Sequence, residues 1–146
     1  MQQNILYAIA LSGCGFGMKA QRGNAKLRYL SNKTEKLDSN KTVKDSRDEK
    51  VTVEVTNDAI SIEPVNNPAE TLTGNVTDVS CLWREAFVNG KTVIQTTLQN
   101  TQQQQKKATV TIESLDGQIT ILVEAAETPC IKTRLQVYRH EELLLN

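Results

Sequence analysis

From Val51 onward the chain alternates. Val51, Val53 and Val55 fall on one side and Thr52 and Glu54 on the other, the period-two pattern of a half-buried strand. Asn57-Asp58 then breaks the pattern, and "AISIEP" resumes it with Ile60 and Ile62, which predicts a hairpin. Pro64 and Pro68 end that strand and open a connection. "TLTGNVTDVSCLW" supplies one or two further strands, and Asn89-Gly90 is the strongest short-range turn signal in the chain, with "TVIQTTL" as the strand beyond it. After a polar loop at "NTQQQQKK", the stretch "ATVTIES" alternates Val110 and Ile112 against threonines. Asp116-Gly117 turns it into "QITILVEA". No stretch of this body has helical periodicity. Six or seven short strands at this spacing predict an all-β fold, an immunoglobulin-like β-sandwich. Its core is expected to hold Val53, Ile60, Trp83, Ile94, Val110, Ile112, Ile119 and Ile121.

The flanks follow other rules. "NILYAIAL" (4–11) is apolar, and residues 13–23 hold four of the seven glycines, a density that favours neither a free helix nor a free strand. "AKLRYLS" has strand alternation, with Leu27 and Tyr29 on one face, whereas residues 32–50 are almost wholly polar and read as a solvated loop or linker. Beyond Pro129, "CIKTRLQVYR" suits a strand to about residue 139, and "HEELLLN" suits a short helical or free end. The expected division is an extended basic N-terminal arm and linker at 1–50 with one strand, the sandwich at 51–126, and a short C-terminal extension at 127–146.

Charge sharpens this division. The whole chain is neutral, yet residues 1–50 carry ten Lys or Arg against five Asp or Glu, and the remainder is net negative by the same amount. A basic arm on an acidic body points to a protein partner. Tyr29 is the one aromatic among the basic residues of 19–50, so the stacking platforms of a single-strand binder are missing and nucleic acid is not the expected partner. The candidate partner-binding residues of the arm are the apolar Ile5, Leu6, Tyr7, Ile9 and Leu11, with Phe16, Lys19 and Arg22.

Chemistry is sparse. Cys14, Cys81 and Cys130 lack metal-ligand spacing, and the single histidine, His140, is distant from them in sequence. Cys81 and Cys130 are expected as two buried thiols, with a bridge between them as the alternative. No nucleophile has a placed base and no glycine-rich loop links a strand to a helix, so neither enzyme activity nor a cofactor is expected. "LSGC" (11–14) has the form of a lipoprotein processing box, with Cys14 as the lipidated residue. The segment before it, "MQQN", lacks the basic residue of a signal peptide, so an uncut arm is the expectation and lipidation the alternative.

The closing hairpin, "NTQQQQKKATVTIESLDGQITILVEAAE", resembles the end of BACON domains, immunoglobulin-like modules of Bacteroidetes proteins and their phages. Asn100, Lys107, Ala108 to Ile112, Gly117, and Ile119 to Ala125 carry the likeness, with Lys107 where Arg is usual and Glu124 where Gln is usual. The resemblance implies an immunoglobulin-like fold and glycan or mucin binding. Against glycans, the body offers Trp83 and Phe87 with Tyr138 in the tail, and Trp83 is expected to be the core tryptophan. The expected function is a structural virion protein: an auxiliary or decoration protein on the capsid of a tailed, crAss-like phage, bound to capsid proteins through its arms. The alternative is a Bacteroidetes surface lipoprotein, held to the outer membrane at Cys14.

Overall fold

A computed structural model of the chain describes residues 24–85 and 87–145. Eight strands follow one another: β1 (Asn24–Leu37), β2 (Val43–Val55), β3 (Ala59–Pro64), β4 (Leu72–Glu85), β5 (Asn89–Gln99), β6 (Gln105–Leu115), β7 (Gln118–Ala125) and β8 (Lys132–Leu145). Each is antiparallel to its neighbour, and β8 returns to β1, so the sheet closes into an up-and-down barrel.

The all-β class agrees with the sequence pattern. The immunoglobulin-like sandwich does not match this arrangement, because the strands are ordered sequentially around one closed sheet without crossovers. Sequence alternation reports only that one face of a strand is buried; barrel and sandwich share that property. Inside lie Val53, Val55, Ile94, Val110 and Ile121, fully buried, with Tyr29, Ile60, Ile112, Ile119, Leu135 and Val137 packed around them. Seven of the eight expected core residues are buried, and Trp83 is only half-buried.

The flanks differ most from expectation. The polar stretch 32–50 is strand: it completes β1 and opens β2, and the expected boundary at 50/51 falls inside β2. Asp38 builds the turn between them. Its Oδ1 accepts from the amides of Asn40 (2.8 Å) and Thr42 (2.9 Å), which holds its carboxyl below the usual range, while Lys41 takes a left-handed φ of 64°. Residues 41–48 are exposed, so no buried face imposes alternation there. "HEELLL" likewise extends β8, pairing His140 with Tyr29 and Leu143 with Lys26. The expected C-terminal extension is thus a barrel strand. At the bend of this three-stranded ribbon the register slips. Leu30 pairs with Arg139 and Ser31 with Val137, so Tyr138 is an extra residue pushed outward, 56% exposed.

On the outer face of the β1–β8 seam Glu35 accepts from Arg134 Nε (2.8 Å) and Gln136 Nε2 (2.9 Å), its side chain 12% exposed. The Arg134 bond outweighs burial and holds the Glu35 carboxyl below the ordinary range. The native state therefore binds this proton more weakly than the unfolded chain, and the bond's stabilisation is complete above about pH 4.5 and lost as pH falls through the native value. We expect Glu35→Gln to lower stability by about 1–2 kcal/mol at pH 7, with the deficit shrinking in acid, as read by urea titrations at several pH values. A fragment of residues 51–126 lacks both β1 and β8 and should show no cooperative unfolding, whereas 24–145 should; a two-state melt of the short fragment would contradict the closed barrel.

Candidate functional site

The chain ends and three turns share one pole of the barrel. β1 begins there at Asn24, opposite Leu145, beside the turns β2–β3, β4–β5 and β6–β7. Two of these turns are locked together. Ser114 Oγ donates to the carbonyls of Phe87 (3.0 Å) and Val88 (2.9 Å), Gly117 N–H to Val88 O (2.9 Å), and Asp116 N–H to Asn89 Oδ1 (3.0 Å). Asp116 and Gly117 both have positive φ, as the Asp-Gly signal predicts for a tight hairpin.

Asn89-Gly90 behaves otherwise. The turn lies before it, with Phe87 in the left-handed region at φ 65°, and Asn89 and Gly90 already belong to β5. Gly90 serves close approach: a Cβ there would lie 2.5 Å from Trp83 Cα and 2.7 Å from Trp83 Cε3. The indole crosses Gly90 and donates from Nε1 to Thr92 Oγ1 at 2.7 Å. Phe87 packs beside it, ring centroids 6.5 Å apart, and stacks on His140 at 4.4 Å with planes 9° apart. The row Trp83–Phe87–His140 thus bridges β4 to β8 across the pole. Burial holds the His140 imidazole below its usual pKa, which favours the neutral ring in the stack. The neighbouring Tyr29 phenol is pushed well above its ordinary range by burial and, secondarily, by Glu142.

Outside this row lies an open groove of about 550 Å³, lined by Leu82, Trp83, Arg84, Lys91, Glu113 and Leu115 among others. Leu82 and Leu115 are 68% and 64% exposed, an apolar rim between charges of both signs. A second groove of about 600 Å³ follows the β3–β4 seam and is lined by hydroxyls, amides and the pair Lys26–Glu54. Burial would raise the Glu54 carboxyl, but bonds from Arg28 Nε (2.8 Å) and Lys26 Nζ (3.2 Å) bring it below the ordinary range. Among the described residues, no group of three or more His, Cys, Asp or Glu is placed to hold a metal ion.

The arm residues Ile5, Leu6, Tyr7, Ile9, Leu11, Phe16, Lys19 and Arg22, and the alternative lipidation residue Cys14, lie outside the described residues. The cysteine expectation needs correction: Cys130 is a free, exposed thiol in the β7–β8 turn, neither buried nor bridged to Cys81. The half-buried Cys81 Sγ lies 3.5 Å from Thr92 Oγ1. Sequence reading missed the pairing of Phe87 with His140, because no local period connects residues on β8 with a turn on the far side of the sheet. No family model, curated protein or solved structure matches this chain.

The row yields a direct test. Trp83→Phe keeps a ring over Gly90 but loses the bond to Thr92, and should cost about 1 kcal/mol. Trp83→Ala should cost about 2–3 kcal/mol, below the range for a fully buried indole. Equal losses in denaturant titrations of the two variants would show that the ring's packing contributes nothing.

Proposed function

We propose that the protein is a structural, non-enzymatic virion component, an auxiliary or decoration protein that attaches to the capsid of a tailed phage by its N-terminal arm. One observation carries the reading: the barrel interior is filled by side chains, and both the start of β1 and the end of β8 lie at one pole. A filled barrel is a rigid body with its working surface outside. The arm meets that body at one end, so the opposite turns can face away from a shell while residues 1–23 reach neighbouring subunits. Weak contacts repeated in every copy then add up. The kinship with BACON modules belongs to this proposal. The residues that carry it occupy the β5–β6 turn, β6, the turn after it and β7, where strand-and-turn grammar is common to many antiparallel folds.

The motif at Cys14 favours a second reading, a surface lipoprotein tethered at the same pole. The intact mass of the native protein separates the two: a mass beginning at Met1 fits the arm, and a diacylated Cys14 terminus fits the lipid anchor. For the capsid reading, a chain lacking residues 1–23 should stay folded and lose binding to purified particles. Binding by the full chain should fall only shallowly between about 0.05 and 0.5 M salt, since apolar contacts rather than many phosphates hold it. Undiminished occupancy by the truncated chain would refute the assignment.

A further inference from the structure

The lower half of β2 is paired on both sides, but its upper half is not. Val51–Val55 lie between β1 and β3, whereas β3 ends at Pro64 opposite Val51. Beyond that point Val65 N–H reaches Lys50 O at 2.9 Å, and the chain then departs into a single 3-10 turn at Pro68–Glu70. Residues 43–48 are therefore hydrogen-bonded to β1 alone among the described residues, and every one of them is exposed. Such an edge presents a row of unpaired backbone groups, a template for another strand.

The charges along this edge choose among templates. They run Lys44, Asp45, Ser46, Arg47, Asp48, a sequence that becomes its own electrostatic complement when reversed. Outward backbone groups alternate along a strand, so two copies paired antiparallel must place the two-fold axis at a residue, not between two. With the axis at Ser46, Asp45 faces Arg47 twice, while Lys44, the extra residue of β2, stays on Asp38 of its own chain at 3.7 Å. With the axis at Arg47, arginine faces arginine and Ser46 faces Asp48. Axes at Asp45 or Asp48 set aspartate against itself. Opposite charges across a strand pair stabilise and like charges destabilise, so the edge repels itself in the neighbouring registers and accepts one. Asp45 and Arg47 already bridge within the strand at 3.8 Å, so both heads lie on one face, where a second copy would extend the pair into a square.

Register slips limit the contact. β2 carries an extra residue at Lys44, where Lys36 pairs with Asp45 and Leu37 with Val43, and another near Glu49–Lys50, where Ser31 pairs with Val51 and Lys33 with Asp48. The regular window spans Asp45 to Asp48, so the ladder stays short and closed instead of running on into a fibre.

We propose that Asp45–Asp48 of β2 is a self-pairing edge that takes the same strand of a second copy in one antiparallel register, with the two-fold axis at Ser46. The contact is independent of whether the arm attaches to a capsid or a lipid anchor. Its test uses the full chain with the exposed Cys130 replaced by serine. Ser46→Cys places two thiols across the axis, and under mild oxidation it should form disulfide-linked dimers about tenfold faster than Asn40→Cys in the adjacent turn. Adding Asp45→Arg, or Arg47→Asp, should bring the rate down to that of the control, and the double exchange of both charges should restore it. Cross-linking at Ser46→Cys no faster than at Asn40→Cys would overturn the proposal. So would a rate indifferent to single charge reversal, or one that the double exchange fails to restore.

Discussion

Everything in this fold depends on β8 finding β1. The pairing runs from Asn24 opposite Leu145 to Leu37 opposite Lys132 and turns an open meander into a closed barrel. Without it, both strands would be long edges exposing their backbone groups. Charge reinforces the seam on its outer face: Arg28 reaches Glu54 on β2 and Glu141 on β8, and Arg134 reaches Glu35. Such half-exposed pairs contribute modestly one by one, but they select the register, because a shift of one residue would carry every partner to the opposite face. The seam joins residues from 95 to 121 positions apart, so loop closure must precede its contacts. A barrel closed this way is expected to fold slowly for its size.

The opposite seam is much slighter. β3 meets β4 only from Ala59–Asn75 to Ile62–Leu72, and Gly74 lies so close to β5 that a Cβ would strike Thr96 Oγ1 and Thr97 O. Brevity of β3 has two consequences. It leaves the polar groove along the β3–β4 seam, and it frees the upper part of β2 from a second neighbour. An unpaired strand is a hazard unless its side chains restrict what can join it. The mixed charges and the slips of β2 act as that restriction.

The two poles serve different ends. At one, Trp83, Phe87 and His140 cover the barrel mouth, and the locked β4–β5 and β6–β7 turns hold them. At the other, hydrogen-bonded turns such as Asp38–Thr42 and Asn100–Gln104 face solvent. Between the two poles the barrel is filled by aliphatic side chains.

Local sequence determined the strands with one buried face. Val51 to Val55, Val110 to Ile112 and Ile119 to Ile121 alternate because a strand puts successive side chains on opposite sides, and the Asp116-Gly117 turn follows from backbone preference alone. That information is short-ranged, so it named the class and most of the core. Tertiary structure decided the rest. Residues 43–48 and 140–143 are strands because a neighbour supplies their hydrogen bonds, with no side chain among them buried, and 32–37 buries Thr34 and Leu37 three positions apart, so none of them carries a period-two alternation to read. Gly90 looked like a turn residue and is a place for an indole to cross. Phe87 meets His140 only when the sheet has closed. Whether the sheet closes at all rests on a pairing between the two ends of the described chain, which no local pattern encodes.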